Sequence, residues 1–255
     1  MQWFFDLIGF GCCHQLDARS FVVDGFVYPL CARCTGIYLG LAFTLLFLAW
    51  FYRRARGAEL SGTGPLIACI IGIGLMGADG ASSWLGWRPT TNGIRFVTGF
   101  CCGASFGVYL HWAINHCRSL LASRCPARKG SARCLRCQGT QGLAVLGDPC
   151  DFVIWLLCAG SFCILFLRFH PLLGVLGPLL VSLCIPSMFV LLGWLFLVVI
   201  DRPRAKVAPL PGDAVCRRLE PSRLLLSVLI AVLILGGLIV AKTLIYTHAG
   251  IPTPF

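Results

Sequence analysis

Residues 35–52 read TGIYLGLAFTLLFLAWFY, and no residue in this stretch carries a charge. A helix rises about 1.5 Å per residue, so roughly 20 apolar residues are needed to cross a hydrocarbon core of about 30 Å. The stretch comes close to that length. Similar uncharged stretches follow along the chain at 61–78, 96–114, 152–167, 169–200 and 224–241. The sequence therefore predicts an all-α, polytopic integral membrane helix bundle with about six transmembrane helices.

The composition agrees with this fold class. Of the 255 residues, 58% are hydrophobic and 12% are charged, about half the charged fraction of an average soluble domain. No water lies within the hydrocarbon core, so each segment must satisfy its own backbone hydrogen bonds, which favours helices over open strands. Segment 152–167 is short, and segment 169–200 is long and contains Pro171, Pro178 and Pro186. We expect one of these two segments to be broken, kinked or re-entrant.

The basic residues indicate the orientation of the bundle. Most of the 21 Lys and Arg residues fall between the first and second, the third and fourth, or the fifth and sixth segments. Basic loops stay in the cytoplasm, so both termini are predicted to lie outside it, an N-out/C-out topology. The net charge of +11 is then mainly a signal of topology. The expected partner is the lipid bilayer, and we expect no nucleic-acid partner.

The amino terminus differs from the six segments. Residues 1–11 are apolar and aromatic, yet they are too few to span a membrane, and Asp6 interrupts them. They also lack the basic region that begins a signal peptide, so we expect no cleaved leader. We predict a short helix in the outer interface, with Trp3, Phe4 and Phe5 buried there.

A polar cluster is predicted at the outer end of the bundle. Arg19 and Arg33 precede the first segment, Asp79 ends the second, and Asn92 and Arg95 precede the third. An ionisable residue at the membrane edge is costly and is usually paired, so we expect Asp79 to pair with Arg95 or Arg33. Such an ion pair could equally serve to link two helices or to perform a function.

Four residues of the same region have the chemistry of a zinc site: Cys13, His14, Cys31 and Cys34. Neighbouring residues in an extended chain point to opposite sides, so we expect Cys31 and Cys34 to bind the ion with one of Cys13 and His14. Three ligands would leave a position for water, Asp79 or a substrate, and four would close the site. A disulfide, a redox dithiol or plain thiols are the alternatives.

A hairpin is predicted to bring these ligands together. Asp24 and Gly25 lie between the apolar runs 21–23 and 26–28, a pattern typical of two strands joined by a tight turn. Arg33 lies between two of the expected ligands, and we predict that it balances the negative charge of the thiolates.

A second group of cysteines follows the third segment. The loop there is rich in Arg, Gly, Ser and Gln, which favours a disordered tether near anionic lipid headgroups. A small zinc-stabilised loop is the alternative, with these candidate ligands: Cys125, Cys134, Cys137 and Cys150.

The first half of the chain carries a family resemblance. The residues that carry it are Cys-His-Gln at 13–15, Arg-Ser-Phe at 19–21, YPLCARCTGIYLG at 28–40, Asp79-Gly80, Thr91-Asn92, Arg95 and Thr98-Gly99. Over about residues 11–115 the chain resembles a family of predicted bacterial and archaeal membrane proteins of unknown function. That family often has Pro-Glu where this chain has Asp17-Ala18, so the turn there is expected to differ.

The resemblance implies a compact membrane core of about three helices with an outer Cys/His/Arg cluster, in a bacterial or archaeal cytoplasmic membrane. It implies no activity. The chain then divides into a core at 1–115, a basic cysteine-containing cytoplasmic loop at 116–151 and further membrane helices at 152–255.

Three functions fit these residues. The one we favour is a zinc-binding membrane protein whose Cys/His site is structural or handles metal. The second is a thiol–disulfide oxidoreductase that uses Cys31 and Cys34. The third is a transporter or anionic-lipid-binding protein whose outer arginines hold an anionic ligand: Arg19, Arg33, Arg88 and Arg95. No phosphate loop, serine triad, HExxH helix or EF-hand loop is present, so the standard soluble enzyme classes are unsupported.

Overall fold

The computed structural model describes residues 1–52, 62–122, 145–204 and 212–249. Its helices and strands are α1 (Gln2–Phe10), β1 (Ser20–Val23), β2 (Phe26–Cys31), α2 (Ala32–Phe51), α3 (Thr63–Trp84), α4 (Asn92–Ala122), α5 (Pro149–Phe169), α6 (Leu176–Arg204) and α7 (Gly212–His248). Short 3-10 turns cover Asp17–Arg19 and His170–Leu173.

Six helices of the described part are long and apolar enough to cross a membrane. Their apolar spans are Ala32–Phe51, Thr63–Trp84, Asn92–His116, Pro149–Leu173, Leu176–Leu197 and Leu225–His248. The predicted helical membrane bundle is therefore confirmed, and the protein is an integral membrane protein. One two-stranded sheet accompanies these helices in the described part of the chain.

The predicted irregularity falls between the fourth and fifth spans. Helix α5 ends at Phe169, a 3-10 turn containing Pro171 follows, and Gly174 takes a φ of +49° before α6 begins. A positive φ is readily adopted by glycine, which has no Cβ atom. Pro178 lies in the first turn of α6, where the missing N–H of proline costs no helical hydrogen bond. The break thus lies inside the predicted segment 169–200 and moves the start of the fifth span to Leu176.

Helices α2 and α4 pack more extensively against each other than any other pair of described helices. Five glycines line their contact: Gly36, Gly40, Gly99, Gly103 and Gly107. A Cβ atom on Gly36 would overlap the carbonyl oxygen of Phe96, and one on Gly103 would overlap that of Ile37. Lipid tails are as apolar as side chains, so helix pairs in membranes gain stability from such close backbone packing.

The predicted hairpin is present. Strands β1 and β2 pair antiparallel, with Val23 opposite Phe26. Both turn residues have positive φ, 51° at Asp24 and 79° at Gly25, which is the pattern of a type I′ turn. The Phe21 ring meets the Phe96 ring of α4 edge-on, with centroids 5.9 Å apart. The hairpin therefore sits directly on the end of the α2–α4 pair.

Helix α1 packs on this hairpin. Phe5 is fully buried and meets the ring of Phe26, whereas Trp3 and Phe4 are exposed on the protein surface. The Gln15 side-chain amide donates to the backbone oxygens of Asp6, at 2.8 Å, and Pro29, at 3.1 Å. The short helix expected at the amino terminus is thus present, and its place in a membrane interface stays a prediction.

One end of the bundle gathers most of these features. We call it the hairpin end, after the hairpin Ser20–Cys31 that caps it. Contacts between sequence-distant residues hold this end together. They are Asn92 with the Ser20 carbonyl, Arg33 with Asp79, the ring of Phe21 with that of His170, and Lys242 with the Phe10 carbonyl. Alternate ends of successive spans therefore meet here, as expected of helices that cross a membrane one after another.

Candidate metal centre at the hairpin end

Three cysteines from two parts of the chain meet at the hairpin end. Cys13 lies in the turn after α1, where its N–H donates to the Gly9 carbonyl at 2.9 Å. Strand β2 runs without a loop into α2, so Cys31 is the N-cap residue and Cys34 lies in the first helical turn. The three sulfur atoms lie within 4.8 Å of one another. A tetrahedral zinc ion with bonds of about 2.3 Å holds its sulfurs about 3.8 Å apart, so the cluster has the size of such a site.

Hydrogen bonds to sulfur favour a negative charge on Cys13. The N–H of Cys31 donates to the Cys13 sulfur at 3.2 Å, and Cys13 is buried. The Cys31 and Cys34 thiols also hydrogen-bond this sulfur and hold the pKa of Cys13 well below its usual range. The bond to Cys13 raises the pKa of Cys31. Cys13 is therefore the first of the two to become a thiolate.

The neighbours of Cys13 are not part of the cluster. His14 is exposed, and its ring nitrogens are not among the clustered ligand atoms. Cys12 hydrogen-bonds Tyr38, and burial raises the pKa of Cys12, which keeps it a neutral thiol. Of the four ligands expected from the sequence, the structure thus brings together Cys13, Cys31 and Cys34 and leaves His14 apart.

The buried carboxylate of Asp79 organises the charges beside this cluster. Its side chain is 1% exposed and forms ion pairs with Arg33 and Arg88, the latter at 2.9 Å. The Thr98 hydroxyl also donates to it, at 3.4 Å. Arg33 is one of the two partners that the sequence predicts for Asp79. Arg88 is a further partner that the sequence does not predict.

The other expected partner, Arg95, makes no ion pair with Asp79. Its guanidinium instead donates to the side-chain oxygen of Asn92 at 3.4 Å. Arg33 and Arg88 pair with the two oxygens of Asp79, and Arg95 interacts with this carboxylate only through a longer-range attraction. The alternative pairing of Asp79 with Arg95 was therefore wrong.

The cation beside the cysteines is Lys242 rather than Arg33. The guanidinium of Arg33 is directed to Asp79. The Lys242 ammonium of α7 donates to the backbone oxygens of Phe10, at 2.6 Å, and Cys13, and it lies 4.3 Å from the centroid of the Phe10 ring. It is also attracted electrostatically by Cys13. The ion pair with Asp79 does not support the expected role of Arg33 as the counter-charge of the thiolates, and that role stays a prediction.

Sequence reasoning missed the role of Lys242, although a signal was present. Lys242 is the sole Asp, Glu, Lys or Arg in the span Leu225–His248. A lone cation in an apolar span is costly and indicates a nearby polar partner. The partner is backbone oxygen at the end of α1, which a pattern of side chains does not reveal.

The possible second metal site lies mostly outside the described residues. This applies to Cys125, Cys134 and Cys137. Cys150 is exposed in the first turn of α5, where its N–H donates to the Asp148 carboxylate at 2.9 Å.

The first half of the chain is similar in sequence to a family of known proteins. A family model described as "Predicted membrane protein (DUF2085)" matches residues 13–109. The uncharacterized protein MJ1492 of Methanocaldococcus jannaschii is 33% identical over 98 residues, which are 38% of this chain and 60% of that protein. An uncharacterized protein of Methanothermobacter thermautotrophicus is 34% identical over 96 residues, which are 38% of this chain and 81% of that protein.

No solved structure matches the chain. The match to the family begins at Cys13 and includes Cys31 and Cys34, the hairpin, α2, α3 and the first part of α4. Lys242 lies beyond it. The chain therefore belongs to the DUF2085 family of predicted membrane proteins.

Proposed function

We propose that Cys13, Cys31 and Cys34 bind a divalent transition metal, most suitably zinc, in this multi-pass membrane protein. The observation that carries the proposal is the convergence of three sulfurs from two separate segments within 4.8 Å. A dithiol redox pair needs two sulfurs and gives the third no role. A metal ion gives all three the same role.

The donor set selects the class of ion. Three thiolates are soft ligands that suit zinc, whereas calcium and magnesium take oxygen ligands. The N–H of Cys31, 3.2 Å from the Cys13 sulfur, supports a thiolate there, as hydrogen bonds around a metal ligand commonly do. Zinc bound by three thiolates would carry one net negative charge, and Lys242 supplies a cation beside Cys13.

The number of ligands bears on the kind of metal site. A closed structural zinc site has four protein ligands, whereas a site with three keeps one position for water or another ligand. Among the described residues the cluster contains three ligand atoms. We therefore favour a site that exchanges metal or presents it to a ligand over one that only stabilises the fold.

The orientation of the site in the membrane belongs to the same proposal. Basic residues are most abundant in the sequence after α2, α4 and α6, opposite the hairpin end. By the positive-inside rule the hairpin end then faces the exterior, and the metal site is open to extracytoplasmic ions.

Metal analysis of the purified protein tests the proposal. The full chain, purified in detergent without chelator, is expected to carry about one zinc per chain. Cys34→Ser should lose the ion. Cys158→Ser should keep it, because Cys158 is exposed on α5 and lies outside the cluster.

Mass analysis of the same samples distinguishes the rival function. If the protein carries no transition metal, and Cys31 and Cys34 together are two hydrogens lighter than free thiols, the metal proposal is wrong. The thiol–disulfide oxidoreductase would then take its place.

A further inference from the structure

Four arginines lie near one another at the hairpin end, and two of them contact the same carboxylate. We call them the arginine cluster: Arg19, Arg33, Arg88 and Arg95. Asp79 pairs with Arg33 and Arg88, and these are the ion pairs found within the described part of the chain. The charge of Arg95 is repelled by Arg19 and Arg33 and attracted by Asp79 and Cys31. Asp79 is thus the carboxylate that pairs within a group of four cations, so the arginines outnumber the carboxylates there.

The acids that might balance this excess are engaged or placed elsewhere. Asp6 lies in α1 and accepts a hydrogen bond from Gln2 at 2.7 Å. Asp24 is at the tip of the hairpin. Asp17 shares the 3-10 turn of Arg19, and no ion pair joins the two. None of these three acids forms an ion pair with the arginine cluster.

Several hydrogen-bond donors of the cluster remain unused. The Nε atom of Arg33 is buried and has no acceptor. Arg95 has one long bond, 3.4 Å, to a neutral amide oxygen. Arg19 is exposed and makes no hydrogen bond through its side chain to a described residue. An excess of cations with free donors at a membrane edge is costly unless an anion joins them.

The shape of the donors indicates which anion fits. A guanidinium presents a planar fork of N–H groups that matches the oxygens of phosphate in pairs. The helix α4 begins at Asn92 beside the cluster, and the amino end of a helix also favours negative charge. Arginines that converge from four parts of the chain could contact several phosphate oxygens at once.

We propose that the arginine cluster binds a phosphate group, either free or carried by the headgroup of an anionic phospholipid. The binding site uses residues different from the three cysteines, so it stands whether or not they bind metal. Arg33 and Arg88 are held by Asp79 and form the fixed side of the site. Arg95 and Arg19, which form no ion pair with a described residue, supply the main new contacts.

Binding to the detergent-solubilised full chain tests this proposal by calorimetry at constant ionic strength. Three ligands are titrated: inorganic phosphate, a short-chain phosphatidylglycerol and a diacylglycerol with the same acyl chains but no phosphate. We expect saturable binding of phosphatidylglycerol and none of diacylglycerol at the same concentration. Binding of inorganic phosphate as well would identify free phosphate as a ligand, and its absence would assign the site to the lipid headgroup.

Two variants and one control connect the binding to the cluster. Arg95→Gln should weaken phosphatidylglycerol binding by about tenfold or more, as expected for loss of a hydrogen-bonded charge. Arg19→Gln should weaken it as well and removes no hydrogen bond of the fold, so it remains informative if Arg95→Gln fails to fold. Arg168→Gln is the control, because Arg168 is exposed on α5 and makes no ion pair with the described residues.

Two results would overturn the proposal. One is that neither phosphatidylglycerol nor inorganic phosphate binds more tightly than diacylglycerol. The other is that Arg19→Gln and Arg168→Gln weaken binding equally, which would show a general attraction of anions to a basic protein.

Discussion

Replacing Asp79 by Asn tests the buried charge network most directly. The substitution keeps the size of the side chain and removes the charge that pairs with Arg33 and Arg88. Losing one partner of a buried ion pair costs about 3–5 kcal/mol. The side chains of Arg33 and Arg88 are 25% and 45% exposed, so part of their charge is still solvated after the change. We therefore expect a loss near the lower end of that range.

Double-mutant cycles divide this loss among the arginines. Arg33 is the more buried partner, and its coupling to Asp79 should be about 2–3 kcal/mol. Arg88 is more exposed, and its coupling should be about 1 kcal/mol or less. Arg95 bonds Asn92 and makes no ion pair with Asp79, so its coupling to Asp79 should be clearly smaller than that of Arg33.

The assay is reversible unfolding of the purified chain in mixed micelles, followed by circular dichroism. The samples contain no phosphate and no added anionic lipid, because such a ligand would add its own coupling between the arginines. A coupling of Asp79 to Arg95 as large as that to Arg33 would refute the pairing described for the hairpin end.

Two further predictions concern the bundle as a whole. A membrane-impermeant maleimide applied to intact cells should leave Cys134 unlabelled, since the positive-inside rule places its loop in the cytoplasm, and strong labelling would overturn the proposed orientation. Gly103→Ala should destabilise the protein by about 1–3 kcal/mol, because its Cβ would overlap the Ile37 carbonyl, whereas Gly74→Ala should cost nothing, because open space surrounds Gly74. Equal stability of the two alanine variants in the same unfolding assay would contradict the close packing of α2 and α4.

Local patterns of the sequence predicted the fold well. The six spans follow from uncharged stretches near the length that a membrane requires. The hairpin follows from Asp24 and Gly25, because both residue types tolerate the positive φ that its turn demands. The glycine pairs Gly36/Gly40 and Gly99/Gly103, spaced four residues apart, also indicate which helices pack closely.

Predictions of which side chains contact each other from different helices were less successful, because these contacts depend on the rotation of each helix about its axis. Asp79, Arg33 and Arg95 were all correctly expected at one end, yet helix ends alone do not decide which arginine reaches the carboxylate. Arg88 pairs with Asp79 through the connection between α3 and α4, whose path the sequence does not specify. The choice between Cys13 and His14 was likewise undecided by spacing, and the turn after α1 directs the sulfur of Cys13 to the cluster.

The contact between Lys242 and the turn at Cys13 has a consequence for biosynthesis. A ribosome adds residues in order, so the segment holding Cys13 is made long before α7. Until α7 enters the membrane, the backbone oxygens of Phe10 and Cys13 lack the ammonium that they contact in the finished protein. The cysteine turn would therefore acquire its final surroundings only at the last stage of insertion, and chains stopped before Lys242 would present it in an immature form.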